Sequence, residues 1–285
     1  MSSWEPIVDR ITAFVNHKVE ESGSSGVVIG LSGGIDSACT ALISQKALGS
    51  ERVLAIIAPE EGVTSAEDVE DALSLCKKLE IDYKVIKINP LINAFTKILN
   101  KNEDECEQEG EGEGEGEGEG EGEGEGEGEG EGKDIAFANL KPRIRMIVLY
   151  FFANSKDMLV AGTGNKTELE VGYFTKYGDG GADILPLGDL YKTEVFSLAE
   201  HLGVPQELID KTPSAGLWRG QTDESEMGMS YKELDMILKA IEESEKDKIE
   251  VHGVDRDNVE KVKYMVQRSA HKRRMPPVAI VRDIL

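Results

Sequence analysis

Apolar positions along the first ninety residues switch between two periods. Ile7, Ile11, Phe14 and Val15 recur at helical spacing and predict an amphipathic helix over 5–21. GVVIGLS (26–32) breaks that period with a short continuous apolar run ending in Gly and Ser, as expected of a strand covered on both faces. A helix over 35–48, a strand at VLAIIAP (53–59), a helix from Ser65 to Leu79 and a strand at YKVIKI (83–88) follow. The alternation continues with a short helix over 91–100, a longer one over 140–155 and a strand at MLVAGTG (158–164). Strands separated by helices pair in parallel through right-handed crossovers. The expected fold is therefore α/β: a doubly wound open parallel sheet of about five strands, with helices on both faces. Ligands are expected outside the carboxyl ends of the strands. Beyond residue 190 the pattern turns helical (191–202, 205–211, 230–243 and 256–270), which predicts a helical C-terminal part of the same single domain, 1–285. Residues 212–229, rich in Ser, Gly, Thr and Asp, read as a lid.

One segment fits neither period. Residues 109–132 are uninterrupted Glu-Gly pairs, which offer no apolar side chain to bury and repel one another. The stretch 103–133 reads as a disordered insertion between two helices, with no chemistry assigned to it. It also distorts the charge. The formal net charge is −23, and removing the twelve tract glutamates leaves −11 for the rest of the chain. An acidic chain of this kind argues against a nucleic-acid partner held mainly by its phosphates. Cys39, Cys76 and Cys106 show no paired spacing, and the first two fall within helical patterns, where a thiol acts as a small apolar group. No secretory segment is expected, and the longest apolar run, Met146 to Ala153, is too short to span a bilayer. A cytoplasmic protein without membrane partners is the expectation.

Candidate chemistry begins where the first strand meets the second helix, at Ser32-Gly33-Gly34-Ile35-Asp36-Ser37. Adjacent glycines permit a tight turn that brings backbone N–H groups against a phosphate, and the following helix adds the positive end of its dipole. Ser32 and Ser37 can donate hydroxyl hydrogen bonds to the same oxygens. Asp36 would repel a bare phosphate, so its presence implies an intervening cation such as Mg2+. The plainer alternative is a Gly-Gly turn with an acid in the first helical turn. No Gly-Lys-Ser/Thr exists, so this is not a Walker A loop. The segment resembles the SGGxDS loop of ATP pyrophosphatases, which cleave ATP between the α and β phosphates. That likeness alone leaves NAD, GMP, asparagine and argininosuccinate synthetases and tRNA-modifying enzymes open.

A second cluster narrows the choice. Thr163-Gly164-Asn165-Lys166-Thr167-Glu168 follows the fourth strand, which should abut the first, so Glu168 is expected to face Asp36 across the switch point. The string FTKYGDGGAD (174–183) has neither helical nor strand period, and on its own chemistry is either a functional loop or an elaborate connection. It resembles the deamido-NAD-binding loop of NAD synthetases. GLSGGIDS (30–37), NLKPRIRM (139–146), LPLGDLYK (185–192), KTPSAGLW (211–218), QTDESEMG (221–228) and HKRRMPP (271–277) extend that resemblance along the chain from about residue 5 to 283, outside the tract.

The resemblance implies an ATP site made by Gly30, Leu31, Ser32, Gly33, Gly34, Ile35, Asp36 and Ser37 with Thr163, Lys192 and Ser214. It makes Asp36 and Glu168 the Mg2+ ligands, and Arg143, Lys176, Asp183, His271 and Lys272 contacts to deamido-NAD. Each has a plainer reading: Lys192 as a solvated first-turn lysine, Arg143 as a helix-surface charge, and His271-Lys272 as a basic face. Asp179 is at most a candidate for deprotonating ammonium. Pro142 stands where many relatives have Ala, and proline belongs to a first helical turn, so the helix is expected to start near Arg143. The implied reaction is ATP-dependent amidation of deamido-NAD by ammonia, giving NAD, AMP and pyrophosphate through an acyl-adenylate, in a homodimer. Because the ATP loop begins at residue 30, no preceding amidase domain is expected, and free or delivered ammonia is implied. A tRNA-modifying pyrophosphatase and a non-catalytic nucleotide-binding protein are the rival readings.

Overall fold

The computed structural model describes residues 4–108, 127–244, 249 and 251–282. Four strands make one sheet: β1 (Val27–Gly30), β2 (Val53–Ile57), β3 (Asp82–Val85) and β4 (Leu159–Ala161). Their spatial order is β3-β2-β1-β4, every pairing is parallel, and Val27 stands opposite both Val53 and Leu159. The order reverses between β1 and β4, where a ligand crevice is expected in a doubly wound sheet. Four strands correct the expected five. Past β4 the chain returns to the sheet at a single parallel bridge, Ala161 to Ile184. Pro186, two residues on, has no N–H to extend a ladder.

Before the tract lie helices α1 (Glu5–Ser22), α2 (Ile35–Leu48), α3 (Ala66–Leu79) and α4 (Asn89–Gln108). After it come α5 (Glu127–Lys156), α6 (Lys166–Val171), α7 (Lys192–Leu202), α8 (Gln206–Ile209), α9 (Asp223–Met227), α10 (Tyr231–Glu243) and α11 (Arg256–Ser269). Strand side chains alternate between two layers. Val27 and Ile29 pack into the core that holds α1, α2, α3 and α7, whereas Val28, Leu54 and Ile56 meet Met146, Val148 and Leu149 of α5. That double cover is why β2 is apolar throughout and wholly buried. A third core, with Val171, Tyr191, Leu234, Ile237, Val259 and Val262, joins α10 and α11 to α6.

The expected helix start at Pro142 is corrected as well. Pro142 lies inside α5, which begins at Glu127, within the last Glu-Gly pairs. An interior proline costs about 3 kcal/mol, and here packing upstream of it opposes that cost. Asn139 accepts a hydrogen bond from the Thr175 hydroxyl at 2.6 Å, and Lys141 pairs with Glu60 at 2.8 Å. Once a helix is anchored, each added residue fixes only its own dihedrals, so extension is far easier than nucleation. Likewise α4 runs to Gln108 rather than residue 100. Of the stretch 103–133, residues 109–126 lie outside the described residues.

Candidate active site

A cleft of about 1010 Å3 opens at the carboxyl ends of the strands, between β1 and β4 and under residues 211–220. All eight residues from Gly30 to Ser37 line it. Gly33 has φ +82°, and a Cβ there would lie 2.4 Å from the Asp68 carbonyl oxygen of α3, so only glycine fits. Ser37 folds back: its hydroxyl donates to the Gly34 carbonyl (2.9 Å), accepts the Ser32 N–H (3.3 Å) and lies 3.2 Å from the Ser32 hydroxyl. Gly34 caps α2 with extended backbone and no side-chain acceptor, whereas Ser65 caps α3 through the Asp68 N–H. The N-terminal amides of α2 thus keep no side-chain cap and face the cleft, an anion-binding arrangement. Leu31 and Ile35 serve through their backbone, since their side chains belong to the core.

Asp36 in the first turn of α2 meets two partners from across the switch point. The Asn165 amide donates to its Oδ1 at 2.9 Å, and Lys192 Nζ lies 2.5 Å from its Oδ2. Glu168 approaches the same ammonium at 3.5 Å. Asn165 and Glu168 form a capping box on α6, with the Glu168 N–H donating to Asn165 and the Asn165 N–H to Glu168. Lys192 opens α7. Its N–H donates to the Thr167 hydroxyl (2.9 Å), which donates to Asp235 (2.5 Å), and Asp235 also accepts the Thr193 N–H (2.8 Å). The Lys192 side chain is only 2% exposed, so it is no solvated surface lysine. Burial alone would lower its pKa, but Asp36 and Glu168 carry it above the usual lysine value. Glu168 keeps 18% of its side-chain surface open to the cleft, yet its enclosure raises its carboxyl, to about 8; Lys192 opposes the rise and Asp36 adds to it.

Asp36 and Glu168 therefore converge on one point. No group of three or more His, Cys, Asp or Glu forms a metal cage among the described residues. Two carboxylates at the mouth of a phosphate loop suit Mg2+, which takes few protein oxygens and completes its shell with phosphate and water. The donor set fits.

Thr163, Ser214, Asp179 and Lys272 also line the cleft. Lys272 Nζ donates to the carbonyls of Gly172 (2.7 Å) and Phe174 (2.8 Å), and Asp179 accepts the Thr175 N–H (2.9 Å). Arg143, Lys176, Asp183 and His271 are not on the cleft wall. Three of them form an adjacent basic cluster: Arg143 donates to the Lys176 carbonyl (3.3 Å) and Lys176 to the His271 carbonyl (3.0 Å). Asp183 accepts bonds from the Tyr150 hydroxyl (2.9 Å) and the Val160 N–H (2.7 Å), and so ties α5 to β4.

The cleft also holds residues that sequence reasoning did not single out. Asp223, 3% exposed, accepts hydroxyl bonds from Tyr231 (2.8 Å) and Tyr173 (3.0 Å) and anchors α9 beside Lys192. Lys192 Nζ sits 5.0 Å from the centre of the Tyr231 ring, a cation–π distance. Arg145 reaches the cleft from α5 two residues beyond Arg143. Burial holds its pKa below the usual arginine value, against the opposing charges of Glu60 and Asp179. Asn165 had a legible signal, an N-cap residue three before a glutamate. Arg145 and Asp223 lie inside the stretches 139–146 and 221–228, which placed their segments in the resemblance but gave neither residue a role.

Comparison with known proteins gives a consistent family. The family model described as NAD synthase matches residues 7–113 and 121–276. The NH(3)-dependent NAD(+) synthetase of Archaeoglobus fulgidus is 53% identical over 283 residues, covering 99% of this chain and 100% of that protein. The protein of the same name from Methanosarcina acetivorans is 42% identical over 277 residues, covering 96% of this chain and 98% of that one. Among solved structures, the NMN synthetase of Francisella tularensis matches with a TM-score of 0.77 at 33% identity, covering 98% of this chain and 99% of that one. The NH3-dependent NAD synthetase of Campylobacter jejuni matches at 0.74 and 31% identity, covering 98% and 100%.

Proposed function

The chain belongs to the NAD synthase family, and from that premise we propose that it amidates deamido-NAD with ammonia at the expense of ATP, releasing AMP and pyrophosphate. The observation that carries the proposal is the junction of the uncapped α2 loop with Asp36, Glu168 and Lys192 at the switch point. A carboxylate does not accept ammonia directly, because oxide is a prohibitive leaving group. The nicotinate carboxylate oxygen attacks the ATP α-phosphorus, the bond to the bridging oxygen breaks, and pyrophosphate leaves. Ammonia then attacks the acyl carbon of the adenylate, and the acyl C–O bond breaks to release AMP.

The protein's part is placement and charge neutralisation. The α2 amides and the Ser32 and Ser37 hydroxyls hold phosphate oxygens, and Lys192 offsets charge that develops on the leaving pyrophosphate. Asp36 and Glu168 would hold Mg2+, which supplies Lewis-acid polarisation of the phosphates when bound. Thr163 and Ser214 complete the ATP contacts. Of the stretch 212–229 read as a lid, Asp223–Met227 form α9 and Met227 and Met229 are buried, so residues 212–222 alone act as the lid that excludes water from the activated ester. The Lys141 bond to the Leu217 carbonyl (2.6 Å) ties that segment to α5.

The cluster of Arg143, Lys176 and His271 stands beside the cleft and takes the remote half of the dinucleotide, with Asp183 and Lys272 bordering it. Ile147 and Phe151 of α5, 58% and 66% exposed, supply apolar surface of the kind a second copy covers. The working form is then a homodimer, which sedimentation at twice the chain mass checks. Among the described residues no helix is long and apolar enough to cross a membrane. One assay tests the function: purified protein with ATP, Mg2+, ammonium and deamido-NAD should form NAD, AMP and pyrophosphate in equal amounts. The Francisella relative is named for a mononucleotide product, so deamidated NMN belongs in a parallel reaction. NAD formation no faster than in protein-free controls would defeat the proposal.

A further inference from the structure

Five cationic side chains among the described residues line the cleft: Arg145, Lys192, Lys211, Arg219 and Lys272. Three are held by protein partners and one is solvated. Lys192 is held by Asp36 and Glu168, and Lys211 by Asp68 (2.8 Å) and Asp71 (2.5 Å). Lys272 is bonded to two carbonyls, and Arg219 stands exposed in solvent on the lid segment. Arg145 differs from all of them. It is half-buried, its Nε donates to the Ala58 carbonyl at 3.3 Å, and it forms no ion pair among the described residues.

Two acids face its charge without pairing with it: Glu60, 8% exposed, whose Oε1 pairs with Lys141 at 2.8 Å while its Oε2 stays buried without a partner, and Asp179, which accepts the Thr175 N–H. The two terminal guanidinium nitrogens of Arg145 are thus left at the cleft wall with no protein acceptor among the described residues. The Ala58 bond holds its Nε at the end of β2. A charged fork held in place and short of acceptors is a site that a ligand completes.

We propose that Arg145 anchors an anionic group of the substrates on the α5 wall of the cleft, its guanidinium gripping two oxygens of one carboxylate or phosphate. The inference rests on the reading of the cleft as a nucleotide site. Two sources can supply the oxygens: the carboxylate of deamido-NAD, or a phosphate of either nucleotide. A planar fork meets both geometries, and a lysine ammonium cannot reproduce it.

The test uses the full chain carrying Arg145→Gln, with Arg145→Lys beside it as the variant that keeps the charge should the first fail to fold. Steady-state kinetics and calorimetric titration with each substrate alone are compared with wild type. The expected result is a rise of tenfold or more in KM and Kd for one substrate, in both variants, with unfolding temperatures near wild type. A rise confined to deamido-NAD and absent for NAD, which carries an amide in place of the carboxylate, assigns the grip to the carboxylate. A rise for deamido-NAD and NAD together assigns it to a dinucleotide phosphate, and one confined to ATP to the ATP phosphates. All constants within twofold of wild type would overturn the inference. Wild-type protein that binds ATP yet makes no NAD would instead sink the reading of the reaction, and the ATP titration would still report on Arg145.

Discussion

At the residue scale the site turns on three charges in mutual reach: Asp36, Glu168 and Lys192. Removing one carboxylate takes charge from the metal position and leaves Lys192 under-neutralised. Asp36→Asn and Glu168→Gln are each expected to lower turnover by about a hundredfold or more, the scale of losing one preorganised electrostatic group, and to weaken Mg2+ dependence. Near-normal turnover at limiting Mg2+ would break the shared-metal reading. Most of this trio was legible, because Asp36 and Glu168 sit in motifs and the βα alternation dictates that the first and fourth strands adjoin. Burial of Lys192 was not, since a lysine in a first turn looks solvated until its environment is known. The cysteines make a second prediction. Burial pushes the Cys76 thiol up to about 11 and Cys39 higher still. Raised thiol pKa values mean little thiolate at pH 8, so peptide mapping after brief iodoacetamide treatment of the folded protein should find both unmodified. Rapid labelling of either in native protein would show that its helix is not packed as described.

At the element scale, the phosphate loop depends on close contact between two helices rather than on its own turn. Gly33→Ala places a Cβ against the Asp68 carbonyl in a left-handed backbone region. A cost of about 1–3 kcal/mol follows from the strained backbone alone. Thermal unfolding should show that loss, and the KM for ATP should rise because α2 must move. Unchanged unfolding and unchanged ATP affinity would mean the loop relaxes freely. Helix α2 was read from the sequence to its ends, 35–48, because Gly34 and Gly49 bound it and its apolar residues face a core. Helix α5 was not. Proline and glycine are local signals for a boundary, and the bonds that carry the helix through Pro142, from Asn139 to Thr175 and from Lys141 to Glu60, are tertiary. Strand β3 was found, at Asp82–Val85 rather than 83–88, although all four of its residues are exposed; the apolar signal that located it includes Ile86 and Ile88 just past its end, the latter fully buried. The four strands located in the sequence are the four of the sheet, and the fifth of the expected count was tied to no segment; past β4 there is one bridge at Ile184.

At the scale of the whole molecule, the groups proposed to hold ATP and the metal come from β1–α2, β4–α6 and α7, while the Glu-Gly tract follows α4 and runs into the start of α5. Its composition gives it nothing apolar to bury. Replacing residues 109–126 with a short Gly-Ser linker should leave turnover and the KM for deamido-NAD within about twofold, a change of roughly 0.4 kcal/mol. A tenfold rise in that KM would show that the tract shapes the α5 wall, where Arg145 lies. Of the residues proposed to contact the dinucleotide, only Lys272 lies on the cleft wall. Arg143, Lys176 and His271 cluster beside the cleft, not in it, because motif position fixes the chain segment but not which of two arginines two residues apart on α5 points inward.

The central claim is that the nicotinate carboxylate is activated by transfer of AMP from ATP. Deamido-NAD carrying 18O in that carboxylate tests it most directly, with the product phosphates read by mass spectrometry. One labelled oxygen should appear in AMP for each NAD formed, and none in pyrophosphate, because the attacked phosphorus keeps the carboxylate oxygen when ammonia displaces it. Unlabelled AMP, or label in pyrophosphate or orthophosphate, would contradict the account.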